Sequence, residues 1–366
     1  MKKALSFVIA SILAASLTGC GSGSPAATTA APAATTAAAE TTAAAASAET
    51  QAAEKPAPTG KTIEIKMVTT NGSSDPSVAV FQECAEEIKE KTNGEIDIQV
   101  YPDGQILTGD EGIEALKSGA SVIVVNDCNT LGDYVPVFNT LCAPYMFTSS
   151  DEIQNFVKTD TFQDVVKIGD EAGFHLICAN YNFGARSIIA DGVEVRSIND
   201  VAPLKLGIPS VAAYVNIFKE FGVNYTTGSW GDRVSGIETK QLNGCEGTAQ
   251  RVSSSKVYDL MEKPVYSDIR YFVVPCAMQV SYDFWKTIPE QYQTIITDVL
   301  TAGGVKASGI ARDAEADYMK AMTDDGVIII ENKDIDLSGF QAAADRVNAD
   351  LPMYAEIKAA VQEANQ

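Results

Sequence analysis

Between residues 61 and 130 the chain alternates between two hydrophobic periods. Ile63, Ile65 and Met67 alternate with Glu64 and Lys66, a period of two that predicts a half-buried strand. Pro76 then opens a segment in which Val80, Phe81, Cys84, Ala85 and Ile88 share one helical face, stopped by Gly94. Ile96, Ile98 and Val100 return to the strand period, and Pro102-Asp103-Gly104 supplies a turn. A short helix carrying Ile113 and Leu116 precedes Val122-Ile123-Val124-Val125, an unbroken apolar run expected of a strand buried on both faces. Strands alternating with helices predict an α/β fold with a largely parallel sheet.

A second unit of the same kind follows. Leu204 to Ile208 reads as a strand ending at Pro209, with helices near 213–221 and 231–238 and a short strand near 243–246. Residues 272–281 form one strand-like run. Pro289 begins a long helical pattern that reaches about Met322, interrupted only by Gly303-Gly304 and Gly309. Two α/β units in one chain predict a cleft between them, and clefts at such boundaries are where ligands sit.

The N-terminal residues change the setting of this fold. Lys2 and Lys3 precede an apolar run from Ala4 to Leu17. That is the layout of a secretory signal, too short for a bilayer crossing of about 20 residues. The sequence Leu17-Thr18-Gly19-Cys20 resembles a bacterial lipobox, which implies cleavage after residue 19 and acylation of Cys20. Residues 20–60 are almost entirely Ala, Thr, Ser, Pro and Glu, a composition that cannot bury enough apolar area to offset its ordering entropy. We read them as a stalk, flexible or partly helical, that reaches roughly 35 Å as a coil and ties the folded part to a lipid bilayer without a spanning helix.

Composition then removes function classes. The chain is 46% hydrophobic and 20% charged, ordinary for a globular protein, with a net charge of −21 and no basic run, which excludes nucleic acid as a partner. His175 is the only histidine, there is no Gly-x-Ser-x-Gly elbow, and no His/Cys/Glu cluster has ligand spacing. No catalysis, no metal and no cofactor are therefore expected, and His175, between Phe174 and Leu176, reads as structural or simply exposed. Beyond Cys20 there are six cysteines: Cys84, Cys128, Cys142, Cys178, Cys245 and Cys276. An even, exported set can pair, but its spacing does not choose a connectivity, and the favoured reading is buried small hydrophobes.

Several stretches in a fixed order carry a family resemblance. They are Phe81 to Gly94 with the following Glu95 to Ile106, Gly112 to Gly119, Pro144-Tyr145-Met146-Phe147, Leu204 to Pro209, Phe221-Gly222-Val223-Asn224, Asn243-Gly244-Cys245-Glu246, Lys256-Val257-Tyr258-Asp259 and Phe284 to Pro289. No single piece is specific; their order and spacing from 63 to about 358 are. The chain resembles the extracytoplasmic solute-binding subunit of a TRAP transporter, of the dicarboxylate-binding, DctP-like type. The resemblance implies a bilobal, Venus-flytrap α/β fold of the periplasmic-binding-protein kind, with strands crossing between lobes and a long helix spanning both. It implies lobe I at 61–183 and about 275–312, and lobe II at 184–274 and about 313–366. It also implies delivery of a small organic acid to membrane permease subunits driven by an ion gradient.

The resemblance also nominates site residues. In the family an arginine in the strand matching Leu204 to Pro209 binds the ligand carboxylate with its planar fork. Gly207 stands there in this chain, which implies either a backbone adjustment or a widened, altered pocket. A second family arginine is retained as Arg186, after Asn182-Phe183-Gly184-Ala185, and is the leading carboxylate contact. Asp127 and Asn71, each following a strand, stand where polar ligand contacts occur, with capping as the alternative for Asp127. Trp230 aligns with a cleft-lining aromatic, with core packing as the alternative. Glu246 falls in an acidic family position, and the neighbouring Gly247 replaces a family asparagine. Arg270, near the second crossover, is a candidate replacement charge. Two other classes share the anchored, bilobal plan: the binding subunit of an ATP-driven importer and a sensor partner, either of them for a sugar-like or neutral solute.

Overall fold

The computed structural model of the protein describes residues 60–366 apart from Ser74 and Thr108. The secretory segment, Cys20 and the stalk lie outside the described residues. The strands are β1 (Ile63–Thr69), β2 (Ile96–Tyr101), β3 (Val122–Asp127), β4 (Phe174–Tyr181), β5 (Arg186–Asp191), β6 (Lys205–Ile208), β7 (Asn224–Thr227), β8 (Gly244–Thr248), β9 (Pro264–Phe272), β10 (Cys276–Ser281) and β11 (Ile328–Ile330). They form two sheets, ordered β2-β1-β3-β10-β4 and β11-β9-β5-β8-β6-β7.

Both sheets are mixed rather than largely parallel. β1 runs parallel to β2 and β3, but β10 is antiparallel to both β3 and β4. In the second sheet β5 is antiparallel to β8 and β9, while β6 is parallel to β7 and β8. The cause is the connectivity. The chain leaves the first sheet at the end of β4 and enters the second at β5, then returns from β9 to β10, so β5 and β10 run against both of their neighbours, while β9 also pairs parallel with the edge strand β11. The apolar run 272–281 is accordingly two strands in different sheets, divided by residues 273–275 at Pro275.

Each sheet is buried on both faces, as a continuous apolar strand such as β3 requires. Val122 and Val124 pack into a core with Phe138, Phe147 and Phe156, while Ile123 and Val125 face Phe81, Ile88 and Tyr292. In the second sheet Ile188 and Leu206 join Phe218, Tyr271 and Phe340, and Ile189 and Cys245 join Val252 and Tyr266. The helix Pro76–Lys91 buries the predicted face, and Asp75 caps it through the Ser77 amide at 2.9 Å.

The helix Glu290–Asp324 has 35 residues, about 52 Å at the α-helical rise. Its first half packs on the first lobe through Tyr292, Ile296 and Leu300, and its last turns reach the second through Met322. Its glycines do not interrupt it. A Cβ on Gly303 would fall 2.5 Å from Cys84 Sγ and one on Gly304 2.3 Å from Asn180 Oδ1, so these positions admit the close approach of the helix Pro76–Lys91 and of β4. The C-terminus departs from the expected division. The helix Ser338–Asn348 packs on the second lobe, but Tyr354–Ala364 returns to the first, burying Ile357, Ala360 and Val361 there. Among the described residues no helix is long and apolar enough to cross a membrane.

Candidate ligand-binding site

Arg186 is the first residue after the β4–β5 crossover, and Glu246 lies on the adjacent strand, opposite Ile188. Residues two apart on a strand share a face, so the pairing brings both side chains to one side of the sheet. Arg186 Nε donates to Glu246 Oε2 and Nη2 to Oε1, both at 2.8 Å. Tyr271 Oη donates to Oε2 at 2.8 Å and Arg233 Nη1 to Oε1 at 2.6 Å. Glu246 has no exposed side-chain surface, and each of its oxygens accepts two bonds. Burial alone pushes its pKa up; the Arg186 charge, the bonds from Arg186 and Tyr271 and the Arg233 charge outweigh this and hold it below the usual carboxylate value.

Arg186 itself keeps 27% of its side chain exposed, and its guanidinium lies 5.2 Å from the Tyr214 ring centre. Among the described residues no acceptor meets its Nη1. One donor edge of a buried, charged fork therefore remains open beside a fully satisfied carboxylate.

Gly207 does not widen a pocket. A Cβ there would lie 2.6 Å from Arg233 Cγ, 2.9 Å from Arg233 Cβ and 3.0 Å from Leu242 Cδ1. The stem of Arg233, from the helix Trp230–Glu238, fills that space on its way to Glu246. The expected room is already occupied, and by an arginine. Trp230 supports it from the helix N-terminus, with the Arg233 and Arg251 guanidinium groups 4.9 and 5.1 Å from its ring. The same indole packs over bare strand at Gly247, whose absent Cβ would stand 3.5 Å from Trp230 Cζ3.

Asp127 approaches from the first lobe, at the end of β3 and opposite Cys276. Its side chain is solvent-accessible, yet the cleft walls crowd it: burial raises its pKa and the Arg186 charge opposes that rise. The site thus has a cation at the start of β5 and a carboxyl at the end of β3. Asn71 is engaged within its own loop, donating from Nδ2 to Ser77 Oγ at 2.8 Å. Arg270 does not join the cluster. It pairs with Asp268 at 3.2 Å and with Glu315 of the long helix at 3.3 Å. A crevice between the lobes lies one step along from Arg186. Its walls include Ser77, Phe183, Ala307 and Thr248, the last being the β-partner of Arg186.

Sequence reasoning missed Arg233, Tyr214 and Tyr271. One signal was available: a glutamate inside the buried strand of Gly244 to Thr248 demands a cationic partner. The six cysteines are free and buried. His175 is structural, with Nδ1 2.7 Å from Asp170 Oδ1 and its ring stacked 4.8 Å from Trp285. Among the described residues no group of His, Cys, Asp and Glu is placed to hold a metal ion.

Comparison with known proteins gives the same answer from outside. The chain is 21% identical over 281 residues to the 2,3-diketo-L-gulonate-binding periplasmic protein of Escherichia coli, covering 75% of this chain and 84% of that one. It superposes on a TRAP periplasmic solute-binding protein of Desulfovibrio salexigens in complex with diglycerolphosphate (TM-score 0.70, 26% identity, 83% of this chain and 98% of the other). It also superposes on one from Actinobacillus succinogenes with bound L-galactonate (TM-score 0.67, 21% identity, 82% and 100%). The profile described as "Bacterial extracellular solute-binding protein, family 7" matches residues 67–353. A bilobal fold, a charged site shared by the two lobes and this match over most of the chain agree: the protein belongs to family 7 of the bacterial extracellular solute-binding proteins, the DctP family of TRAP transport systems.

Proposed function

We propose that this protein captures a small organic acid outside the cytoplasm, holding its carboxylate at Arg186, and delivers it to TRAP permease subunits driven by an ion gradient. The observation that carries the reading is the open Nη1 edge of Arg186, a guanidinium otherwise fixed by Glu246 and stacked on Tyr214. A charge-assisted bond to a pre-oriented fork is among the stronger polar contacts a site can offer. Asp127 faces it from the other lobe and accepts hydroxyl groups of the same ligand. Because the two contacts lie on different lobes, ligand draws the lobes together by bending at the crossovers. The sugar acids in the names of two similar proteins, a diketogulonate and a galactonate, fit this chemistry.

A thermal-shift screen over organic acids, sugar acids, amino acids and neutral polyols tests the reading. An acid at a hundred times its dissociation constant adds about 2.7 kcal/mol of stability. A screen in which only neutral polyols shift the transition would defeat the carboxylate assignment and favour a neutral solute. The acylated Cys20 anchor belongs to the same proposal. Cys20→Ala should move the protein from the membrane fraction to the soluble one with ligand affinity unchanged, and continued membrane retention would defeat the anchor.

A further inference from the structure

We infer that Arg233, seated over Gly207, is a specificity-determining residue that sets the charge of the cleft and makes the site prefer a ligand with one negative charge over one with two. The inference rests on the anion-binding reading of this site and deepens it.

The argument is a count of charges. Arg186 and Glu246 alone would form a closed pair, with two parallel bonds of 2.8 Å. Asp127 across the cleft would then make the site negative, and an anion would be repelled. Arg233 brings a second guanidinium to the same carboxylate, at 2.6 Å from Oε1. The Arg233 side chain is only 9% exposed, so solvent does little to screen its charge. Two guanidinium groups now face two carboxylates. The site has no net charge when Asp127 is ionised and one positive charge when it is protonated. With Asp127 protonated a monoanion is matched and a dianion leaves one negative charge unpaired; with Asp127 ionised each leaves one more, and every unpaired charge in a crowded cleft is costly. Arg251 does not change the count, since its side chain is solvent-exposed where it stacks on Trp230.

The steric facts make the arrangement exclusive. Any side chain at position 207 would meet the Arg233 stem at 2.6–2.9 Å. The strand cannot carry a cation there while the helix arginine stays in place. This chain has taken the helix arginine, whose guanidinium is tied to Glu246 and cannot turn freely to a second ligand carboxylate. Asp127, meanwhile, suits hydroxyl donors. The ligand class is therefore a hydroxylated monoanion, an aldonate or a phosphodiester of glycerol, rather than a dicarboxylate.

Isothermal titration of the full chain at pH 7 tests this with matched pairs differing by one charge. Suitable probes are D-gluconate against D-glucarate and diglycerol phosphate against glycerol 3-phosphate. In each pair that binds, the singly charged member should be tighter by about tenfold or more, the equivalent of losing one charged hydrogen bond. A doubly charged member that binds equally well or better overturns the inference while leaving the anion site standing. Failure of every acid and phosphoester overturns both. Two variants locate the cause. Arg233→Gln should weaken the preferred anion by about a hundredfold, and Glu246→Gln, which adds one positive charge, should narrow or invert the preference between pair members. If folded Arg233→Gln keeps wild-type affinity, Arg233 does not set the charge. If Arg233→Gln does not fold, the wild-type pair ratios still decide.

Discussion

Two arginines stand where the chain crosses between lobes, and they are built to opposite charge balances. Arg186, at the start of β5, shares one fully buried glutamate with Arg233, at 2.6–2.8 Å and with every carboxylate oxygen doubly bonded. Arg270, near the end of β9, is a lone cation between two carboxylates, Asp268 and Glu315, at 3.2 and 3.3 Å. There the surplus is negative, Glu315 Oε1 is buried without a hydrogen bond among the described residues, and Arg270 holds a left-handed φ of 48°. Ser187, next in sequence to Arg186, belongs to the second network, donating to Asp268 at 2.9 Å and accepting the Arg270 amide at 3.1 Å. Two guanidinium groups sharing one buried carboxylate suit an anion site. A carboxylate surplus joining a strand to the long helix suits a brace that the lobes flex against.

The sharpest way to break this contrast is to remove the shared carboxylate. Glu246→Ala leaves two buried guanidinium groups facing each other and should lower unfolding stability by roughly 3–5 kcal/mol in urea titration. A loss below about 1 kcal/mol would mean that the cluster is not held by Glu246. Next in size is the paired test of the arginines. Arg186→Ala should weaken the best acid by roughly ten- to a hundredfold, whereas Arg270→Ala should change affinity by no more than about threefold, since a lost charged bond is worth about 1.5–3 kcal/mol. Equal losses at both positions would erase the distinction between site and brace.

The smallest effect concerns pH. Burial raises the Glu315 carboxyl above its ordinary value, only partly opposed by Arg270. A carboxyl raised in the folded state favours folding most below its unfolded pKa, and that contribution disappears as pH rises through the raised folded value. Glu315→Gln should therefore be neutral or slightly stabilising at pH 7 and should flatten the fall of melting temperature from about pH 4 upward. Glu246 has the opposite sign. Its lowered pKa contributes stability above the ordinary carboxylate range that is lost only as pH falls through the lowered value. A Glu315→Gln variant with the wild-type pH slope would show that Glu315 is not the strained group.

Much of the architecture was legible because long, periodic elements carry their own signal. The face of Pro76–Lys91, the alternation of Ile63, Ile65 and Met67, and the run from Val122 to Val125 each match an observed element. The region from 128 to 173 was not: the twelve-residue helix Asp160–Glu171 buries Phe162, Val165, Val166 and Gly169 on one face and went unread, and its neighbours are short. Val137–Leu141 and Ser150–Phe156 have five and seven residues, too few to show a period. The strand run across 272–281 concealed a change of sheet that only tertiary structure imposes.

The site was legible in its parts but not in its wiring. Arg186, Glu246 and Trp230 do lie together, and Gly207 was visible as a departure. That an arginine on a separate helix fills the space over Gly207 depends on a contact between elements distant in sequence, which no local pattern encodes. The place of Arg270 was hidden for a related reason: it depends on where β9 ends, and its partner Glu315 comes from the long helix.

The most direct test is the structure of the protein with its best monoanionic ligand bound. The account predicts the ligand's anionic group within hydrogen-bonding distance of Arg186 Nη1, its hydroxyls toward Asp127, and the Glu246–Arg233 contact intact. An anionic group held instead at Arg270, or a ligand that reaches Arg186 only after Arg233 has left Glu246, would contradict it.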